Sequence, residues 1–141
     1  MHVGDSLMKL LINIDVPDLD TAIAFYCTAL DLKLQRVLDQ DTAEISGADA
    51  TIYLQRNSAN CAPVRGKDIP RSYDRHWTPV HIDFVVNDLM PAVQRAIDAG
   101  AKQESECMAW YGARWITFSD PFGNGFCLLE FENGTYRPDG G

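Results

Sequence analysis

The stretch Val16-Pro17-Asp18-Leu19 recurs as Val86-Asn87-Asp88-Leu89, 70 residues later in a chain of 141. Each copy joins an alternating apolar run to an Ala-rich amphipathic run. A fixed internal period indicates that one supersecondary unit is used more than once. The sequence therefore predicts two copies of one module. The same offset aligns Leu11 with His81, and we expect such equivalent positions to line a cleft between the copies.

The composition is typical of a single globular domain, 1–141, that buries a core. Hydrophobic residues make up 46% of the chain and charged residues 23%. The longest apolar runs, such as residues 84–86, are too short to cross a bilayer, and residues 1–6 lack the pattern of a signal peptide. We therefore expect a cytoplasmic protein with no membrane partner.

The net charge bears on the class of ligand, and the cysteines bear on the presence of disulfides. A net charge of −8 argues against nucleic-acid binding, which needs Lys and Arg against phosphate, and is compatible with a cationic ligand. The four cysteines form no CxxC pair, so no disulfide framework is expected. They are Cys27, Cys61, Cys107 and Cys127.

Hydrophobic periodicity and turn residues divide the chain into two β-α-β-β-β modules. Asp18 and Asp88 are the predicted helix N-caps, and Gly100 is the predicted end of the second helix. In module one, about 7–56, we predict strands at 7–16, 32–38, 43–46 and 50–55. In module two, about 80–131, we predict strands at 80–86, 101–107, 114–119 and 125–131. A linker of about 57–79 joins the modules, and the tail 132–141 is expected to fray.

Four motifs carry a family resemblance over residues 8–131. They are Val16-Pro17-Asp18-Leu19-Asp20 leading into Ala24-Phe25-Tyr26, then His81-Ile82-Asp83-Phe84-Val85-Val86, Ala99-Gly100-Ala101 and Asp120-Pro121-Phe122-Gly123-Asn124. Through them the chain resembles the vicinal-oxygen-chelate superfamily, which includes glyoxalase I, fosfomycin-resistance proteins, extradiol dioxygenases and bleomycin-resistance proteins. The resemblance implies an α+β fold, in which two tandem βαβββ modules form a curved mixed sheet around a cleft with the helices outside. It also implies a homodimer.

The resemblance further implies where a metal would be held. Metal-dependent members bind a divalent ion through up to four side chains, two from each module, and those positions fall here on Leu11, Tyr53, His81 and Cys127. Leucine cannot coordinate a metal, and a phenol with a pKa of about 10 is a poor ligand. A catalytic metal site normally has three protein ligands. We therefore expect no metal and no other cofactor; a divalent ion on His81 and Cys127 is the alternative.

Two sets of residues could still carry a function. His81 is expected to face the cleft, either as a binding histidine or as a general acid/base, although the sequence offers no partner to orient its ring. The segment 110–115 contains three aromatic residues and Arg114, and a similar stretch lines the drug groove of the bleomycin-resistance branch. Aromatic faces attract cations and stack on flat rings. Trp115 alternatively belongs to the core, and Trp110 alternatively covers a hairpin. The predicted ligand-binding residues are His81, Trp110, Tyr111, Tyr53, Cys127 and Arg114.

Two further regions, the linker and the end of the last strand, carry charged residues that bear on the site. The linker residues Arg71, Asp74, Arg75, His76 and Trp77 form either a lid that binds anions or a solvated charged loop. Glu130 lies three positions after Cys127, so strand alternation sends it to the opposite face and it should not replace the missing carboxylate.

The leading functional hypothesis is a metal-independent protein of the bleomycin-resistance type that binds a planar or cationic small molecule and is not an enzyme. The first alternative is a metal-dependent lyase or dioxygenase with a non-standard site, which uses His81 with Cys127 or Tyr53. The second alternative is an interaction module with a vestigial cleft.

Overall fold

The computed structural model describes residues 7–63, 66 and 69–139. Within them each module starts with a strand and a helix and ends with further strands. Module one contains β1 (Leu11–Val16), α1 (Leu19–Ala29), β2 (Lys33–Leu38), β3 (Thr42–Ser46) and β4 (Thr51–Arg56). Module two contains β5 (Ile82–Val85), α2 (Leu89–Ala99), β6 (Lys102–Gln103), β7 (Met108–Trp110), β8 (Ala113–Ser119) and β9 (Gly125–Phe131).

The α+β fold of two tandem modules is confirmed. Hydrogen bonds divide the expected curved sheet into two mixed sheets, with orders β1-β4-β3-β2 and β5-β9-β8-β6, and β7 also pairs with β8. In each module the first strand runs parallel to the last one, and the remaining pairs are antiparallel. No helix in the described part of the chain is long and apolar enough to span a membrane.

Each sheet has one apolar face and one open face because side chains alternate along a strand. In module one Ile14, Ile45 and Leu54 are buried in the core. Each helix packs on its own sheet, the two helices contact each other, and one continuous core joins both modules. The second face of each sheet carries no helix, although Cys127 and Leu129 on the second face of module two are buried. Any shared cleft must be built from these faces.

The helix ends differ in part from the sequence prediction. Gly100 ends α2 as predicted, with a positive φ of 116°. Asp18 and Asp88 occupy the N-cap positions as predicted, with extended backbones, but neither carboxylate accepts a backbone N–H of its helix. Asp18 instead accepts a hydrogen bond from the Thr21 hydroxyl. At α2 the carboxylate of Glu130 replaces the cap, because its Oε1 accepts the N–H of Leu89 at 2.7 Å.

The predicted strand 101–107 is interrupted. The N–H of Glu104 still donates to the carbonyl of Thr117 at 2.8 Å, but the N–H of Thr117 donates to the hydroxyl of Ser105 at 3.0 Å. A side chain thus takes the place of a backbone carbonyl in the ladder. The strand therefore stops after Gln103, and β7 resumes pairing with β8 at Met108.

The tail, which was expected to fray, is anchored between residues 132 and 137. The N–H of Glu132 donates to the carbonyl of Gly112 at 2.9 Å, and the N–H of Arg137 donates to that of Tyr111 at 2.8 Å. The ring of Tyr136 packs edge-on against Phe131, with centroids 4.8 Å apart. The aromatic side chain anchors a segment whose composition alone indicates a flexible end.

The turn between β8 and β9 ties the modules together. Its Asp120 carboxylate is only 3% exposed and accepts the N–H groups of Phe122 and Asn124 at 2.8 and 2.9 Å. The Tyr26 hydroxyl of α1 donates to the same carboxylate, and the Asn124 amide donates to the Asp15 carbonyl at 3.2 Å. Buried polar groups need such partners, so the Asp-Pro-Phe-Gly-Asn motif here joins module two to module one.

Candidate functional site

The open face of module two forms a solvent-accessible cavity of about 290 Å³, here called the aromatic pocket. Strand alternation places Trp115 and Thr117 of β8 on the same face as Cys127 and Leu129 of β9. Its lining residues are Trp77, His81, Asp83, Trp110, Trp115, Thr117, Cys127, Leu129 and Tyr136.

All three tryptophans of the chain line this pocket. Trp110 packs against Tyr136 from the tail, with ring centroids 5.4 Å apart, and Trp77 from the linker lies 5.0 Å from the His81 ring. The sequence leaves Trp115 between core and cleft and Trp110 between a hairpin cover and the cleft, and both side chains line this pocket. Tyr136 was not predicted to lie there, and the only available signal was an aromatic residue in an otherwise polar tail.

A carboxylate that the sequence analysis did not consider orients His81. The Nε2 atom of His81 lies 3.2 Å from Oδ1 of Asp83, and the two side chains are 37% and 38% exposed. The signal was present in the sequence, because residues two apart on a strand share a face. His81 therefore has the orienting partner that the sequence analysis lacked.

Cys127 completes a group of three potential metal ligands. Its thiol and the His81 and Asp83 ligand atoms all lie within 4.8 Å of one another. Burial raises the pKa of the Cys127 thiol; a hydrogen bond from Thr117 opposes this shift, and the nearby Asp83 carboxylate adds to it. Without a cation nearby the protonated thiol is therefore favoured.

The donor set fits a divalent metal better than the sequence count suggested. Zinc takes imidazole nitrogen, thiolate sulfur and carboxylate oxygen, and three protein ligands leave one position open. The expected count of two ligands, or three with a deprotonated Tyr53, omitted Asp83, so the ligand count no longer argues against a metal. All three donors come from module two.

Module one contributes none of these donors. The Tyr53 hydroxyl donates to Glu44 at 2.8 Å, and this bond is the largest cause that raises the pKa of the phenol. Arg36 also pairs with Glu44, at 3.0 Å. Leu11 is 54% exposed and offers no ligand atom. Tyr53 is thus part of a polar network on the module-one sheet and does not line the aromatic pocket.

Two other predicted ligand-binding residues lie outside the aromatic pocket. The Arg114 guanidinium bonds to Glu130 at 3.1 Å, which puts it with the carboxylate that holds the start of α2. Glu130 thus faces away from Cys127, as strand alternation predicted. Tyr111 has a positive φ of 49° in the turn between β7 and β8, and its ring packs on Trp110 at 4.5 Å. Tyr111 supports a pocket residue, whereas His81, Trp110 and Cys127 come together in the pocket itself.

Over residues 71–77 both arginines of the linker are tied to other segments, while Asp74, His76 and Trp77 are exposed. Arg71 bonds to Asp15 at 2.7 Å, and Arg75 bonds to Glu104 at 2.6 Å. The Tyr73 hydroxyl donates to the Asn57 carbonyl at 2.6 Å. Both guanidinium groups are already paired with carboxylates, so they are not open to bind an anion.

A second cavity, of about 280 Å³, lies at the seam between the modules. Asp15 of β1 and the linker residues Asp74 and His76 line it, together with Phe126 and Asn124 near the β8–β9 turn. His81 lines this cavity as well as the aromatic pocket. The His81 imidazole therefore lies between the cavity at the module boundary and the aromatic pocket.

The sequence and the fold are both similar to those of known proteins. The profile of a glyoxalase-like domain matches residues 11–129. No curated protein matches the sequence. Solved structures with the same fold include lactoylglutathione lyase from Agrobacterium tumefaciens, 17% identical over 95% of this chain and 100% of that one with a TM-score of 0.63. They also include the fosfomycin resistance protein FosX from Listeria monocytogenes, 19% identical over 92% and 94% with a TM-score of 0.63.

A glyoxalase/bleomycin resistance protein/dioxygenase from Nocardioides is similar too, 17% identical over 94% of this chain and 89% of that one with a TM-score of 0.61. At these identities, the likeness to the three solved structures shows a shared fold. With the profile covering most of the chain, the protein belongs to the glyoxalase-like domain family of the vicinal-oxygen-chelate superfamily.

Proposed function

We propose that this protein binds a planar organic cation in the aromatic pocket and needs no metal to do so. The observation that supports the proposal most strongly is the convergence of Trp77, Trp110, Trp115 and Tyr136 around one cavity. Aromatic faces attract cations and stack on flat rings, and the effect grows when the site is shielded from water. The ligand would lie against these faces, with Leu129 in the pocket lining.

The charge of the pocket favours the same ligand class. Asp83 is the acidic residue of the lining, and no Lys or Arg lines the pocket among the described residues. The Asp83 carboxylate lies in the pocket lining beside His81, where it favours a cation over an anion next to the aromatic faces. The net charge of −8 would raise the local concentration of a cation further.

A calorimetric titration with N-methylquinolinium, in the presence and absence of EDTA, tests the proposal. We expect binding with the same Kd in both buffers and an increase in thermal stability that follows ligand concentration. The Trp110→Ala variant should weaken binding about tenfold while its circular dichroism stays native.

Tyr53→Phe is the matched control, because it alters an aromatic residue of module one that lies in a separate hydrogen-bond network. It should leave the Kd unchanged. Loss of binding in EDTA, or a Kd that is unchanged in the Trp110→Ala variant, would refute the metal-independent aromatic site.

A metal-dependent enzyme is the second candidate, favoured by the group His81, Asp83 and Cys127. A variant of FosX from Listeria monocytogenes, 19% identical with a TM-score of 0.65, is complexed with Mn(II) and 1S,2S-dihydroxypropylphosphonic acid. A divalent ion would supply Lewis-acid activation of a bound oxygen. Of this chain's own residues, Asp83 would orient the imidazole and Thr117 would hydrogen-bond the sulfur.

Elemental mass spectrometry of untagged protein purified without chelator separates the two candidates. The metal-independent proposal predicts well below one metal ion per chain. Near-stoichiometric metal that falls in both His81→Ala and Asp83→Asn, but not in Tyr53→Phe, would establish the metal-dependent alternative. A homodimer and a cytoplasmic location remain predictions from the resemblance and the sequence.

A further inference from the structure

The linker segment 71–77, here called the strap, lies directly on the β8–β9 turn. A Cβ atom added to Gly123 would come within 2.6 Å of the Tyr73 carbonyl oxygen, and one added to Gly125 within 2.4 Å of Cζ3 of Trp77. Real Cβ atoms do not approach other atoms so closely. The absence of side chains at Gly123 and Gly125 therefore allows the strap to place Trp77 against module two.

A pair of charged residues holds the Trp77 indole. The Arg75 guanidinium carbon lies 5.1 Å from the centroid of the Trp77 ring, a cation–π distance. The same guanidinium bonds to Glu104 through two parallel contacts, Nε to Oε2 at 2.6 Å and Nη2 to Oε1 at 2.5 Å. Such two-point pairing fixes the plane of the guanidinium. Glu104, which follows β6, is thus linked through Arg75 to a wall of the aromatic pocket.

Trp77 differs from the other tryptophans of the pocket in its origin. Trp110 and Trp115 belong to β7 and β8, whose hydrogen-bonded ladder sets their positions. Trp77 belongs to neither sheet, so its orientation depends on the strap contacts. It lies beside His81, with ring centroids 5.0 Å apart and an angle of 38° between the rings.

We propose that Trp77 is the specificity-determining wall of the aromatic pocket and that Arg75 and Glu104 are its positioning residues. The inference rests on the proposed cation-binding function. It deepens that function by naming the ligand class: a flat aromatic cation, broad enough to contact the strap wall and the β7–β8 wall together, is preferred over a compact ammonium ion. The positioning pair selects the ligand by holding the distance between the two walls.

The first experiment needs no ligand. In a Trp110→Phe/Trp115→Phe background, Trp77 is the only source of tryptophan emission. We expect Arg75→Gln or Glu104→Gln to shift that emission to longer wavelength and to increase acrylamide quenching about twofold, because the indole leaves its packed position. Arg36→Gln is the matched control, since it breaks another Arg–Glu pair, on module one. It should change neither quantity.

The second experiment compares two probes by calorimetry in the native-tryptophan protein, N-methylquinolinium and tetramethylammonium. Trp77→Ala should weaken the flat probe about tenfold and the compact probe less than about twofold. Arg75→Gln and Glu104→Gln should each weaken the flat probe about threefold, and the double variant no more than either alone, because the pair acts as one unit. Trp77→Phe should recover part of the loss.

The outcomes separate this inference from the function on which it rests. If neither probe binds the native protein, the proposed function fails and the specificity wall with it. If the flat probe binds and Trp110→Ala weakens it, but Trp77→Ala lowers both affinities equally or neither, only the specificity wall is wrong. If neither Arg75→Gln nor Glu104→Gln changes the emission wavelength or the quenching of Trp77, the positioning role of Arg75 and Glu104 is wrong.

Discussion

The open faces of the two modules share one scaffold and differ in chemistry. On module one, the polar side chains satisfy each other: Gln55 donates to Asn13 at 2.7 Å, and Glu44 accepts from Tyr53 at 2.8 Å. On module two, aromatic rings surround a cavity with His81 and Asp83 at its wall. A polar face whose groups are already paired gains little by binding a ligand. The duplication thus repeated the scaffold, while the side chains left a ligand pocket on module two.

The β3–β4 turn of module one and the β8–β9 turn of module two also differ in what their glycines contact. The β3–β4 turn of module one places Gly47 near the flexible end of Leu32, at 3.0 Å from an added Cβ. The β8–β9 turn of module two packs Gly123 against the strap backbone and buries Asp120. The module-two turn is therefore a structural junction, whereas the module-one turn contacts a movable side chain.

The largest expected effect is on stability at this junction. Gly123→Ala should lower the free energy of unfolding by more than about 2 kcal/mol, because it adds a Cβ at a φ of 91° and against a backbone oxygen. Gly47→Ala shares the positive φ but meets a side chain, and should cost clearly less. Chemical denaturation of both variants measures the difference; equal losses would show that backbone conformation alone sets the cost.

The next effect tests the charge of the module-two face. Asp83→Asn should weaken N-methylquinolinium binding about three- to tenfold and leave binding of the neutral analogue 1-methylnaphthalene, which has the same shape, and of quinoline unaffected, because only the cation interacts with the carboxylate. Calorimetry with the three compounds is the measurement. Glu44→Gln removes a carboxylate from the module-one face and should change none of these affinities. A similar loss for the neutral compounds would mean that Asp83 shapes the pocket and contributes no charge.

A smaller effect is expected on the pH dependence of stability, and it compares one glutamate from each module. The pKa of Glu130 is lowered from its ordinary 4.5, first by the Leu89 N–H and then by Arg114, and the pKa of Glu44 is lowered by Arg36 and Tyr53. A lowered folded-state pKa means that stabilisation is complete above the unfolded value and is lost as pH falls through the folded value.

Glu130→Gln should therefore reduce Tm at pH 7 by a few degrees and by progressively less below pH 4.5. Glu44→Gln should reduce Tm less, because Glu130 also offers its negative charge to the N-terminus of α2. Thermal melts of both variants from neutral to acidic pH give the comparison. A loss that grows toward low pH would contradict the assigned sign.

The smallest effect concerns thiol chemistry within module two. Cys127 is buried and its thiol pKa is raised, first by burial, whereas Cys107 is exposed. At pH 8, Ellman's reagent should consume Cys107 well before Cys127, because the thiolate is the reactive species. Cys107→Ser should remove one equivalent of the fast reaction and serves as the control, because the free Cys61 also reacts. Fast reaction of Cys127 would show that the pocket lining is open to reagents.

Part of the architecture is predictable because it depends on neighbours along the chain. The internal period, the alternation of strands and the glycine that ends α2 are all encoded within a few residues of where they act. The break after β6 is not predictable in this way, because the Ser105 hydroxyl replaces a ladder acceptor for Thr117, twelve positions away. Asp83 could be predicted only in part. Its spacing from His81 indicates a shared face, but the sequence does not show that it lies close to Cys127.

By itself the sequence determined the duplicated α+β scaffold, its family resemblance and the placement of His81 and Cys127 on one face. Only the tertiary structure decided which aromatic residues form the pocket. Trp77 and Tyr136 come from the linker and the tail, which have no periodic pattern, and their positions follow from contacts with Gly125, Arg75 and Phe131. Local propensities specify secondary structure, whereas a pocket depends on packing between segments that are distant in sequence.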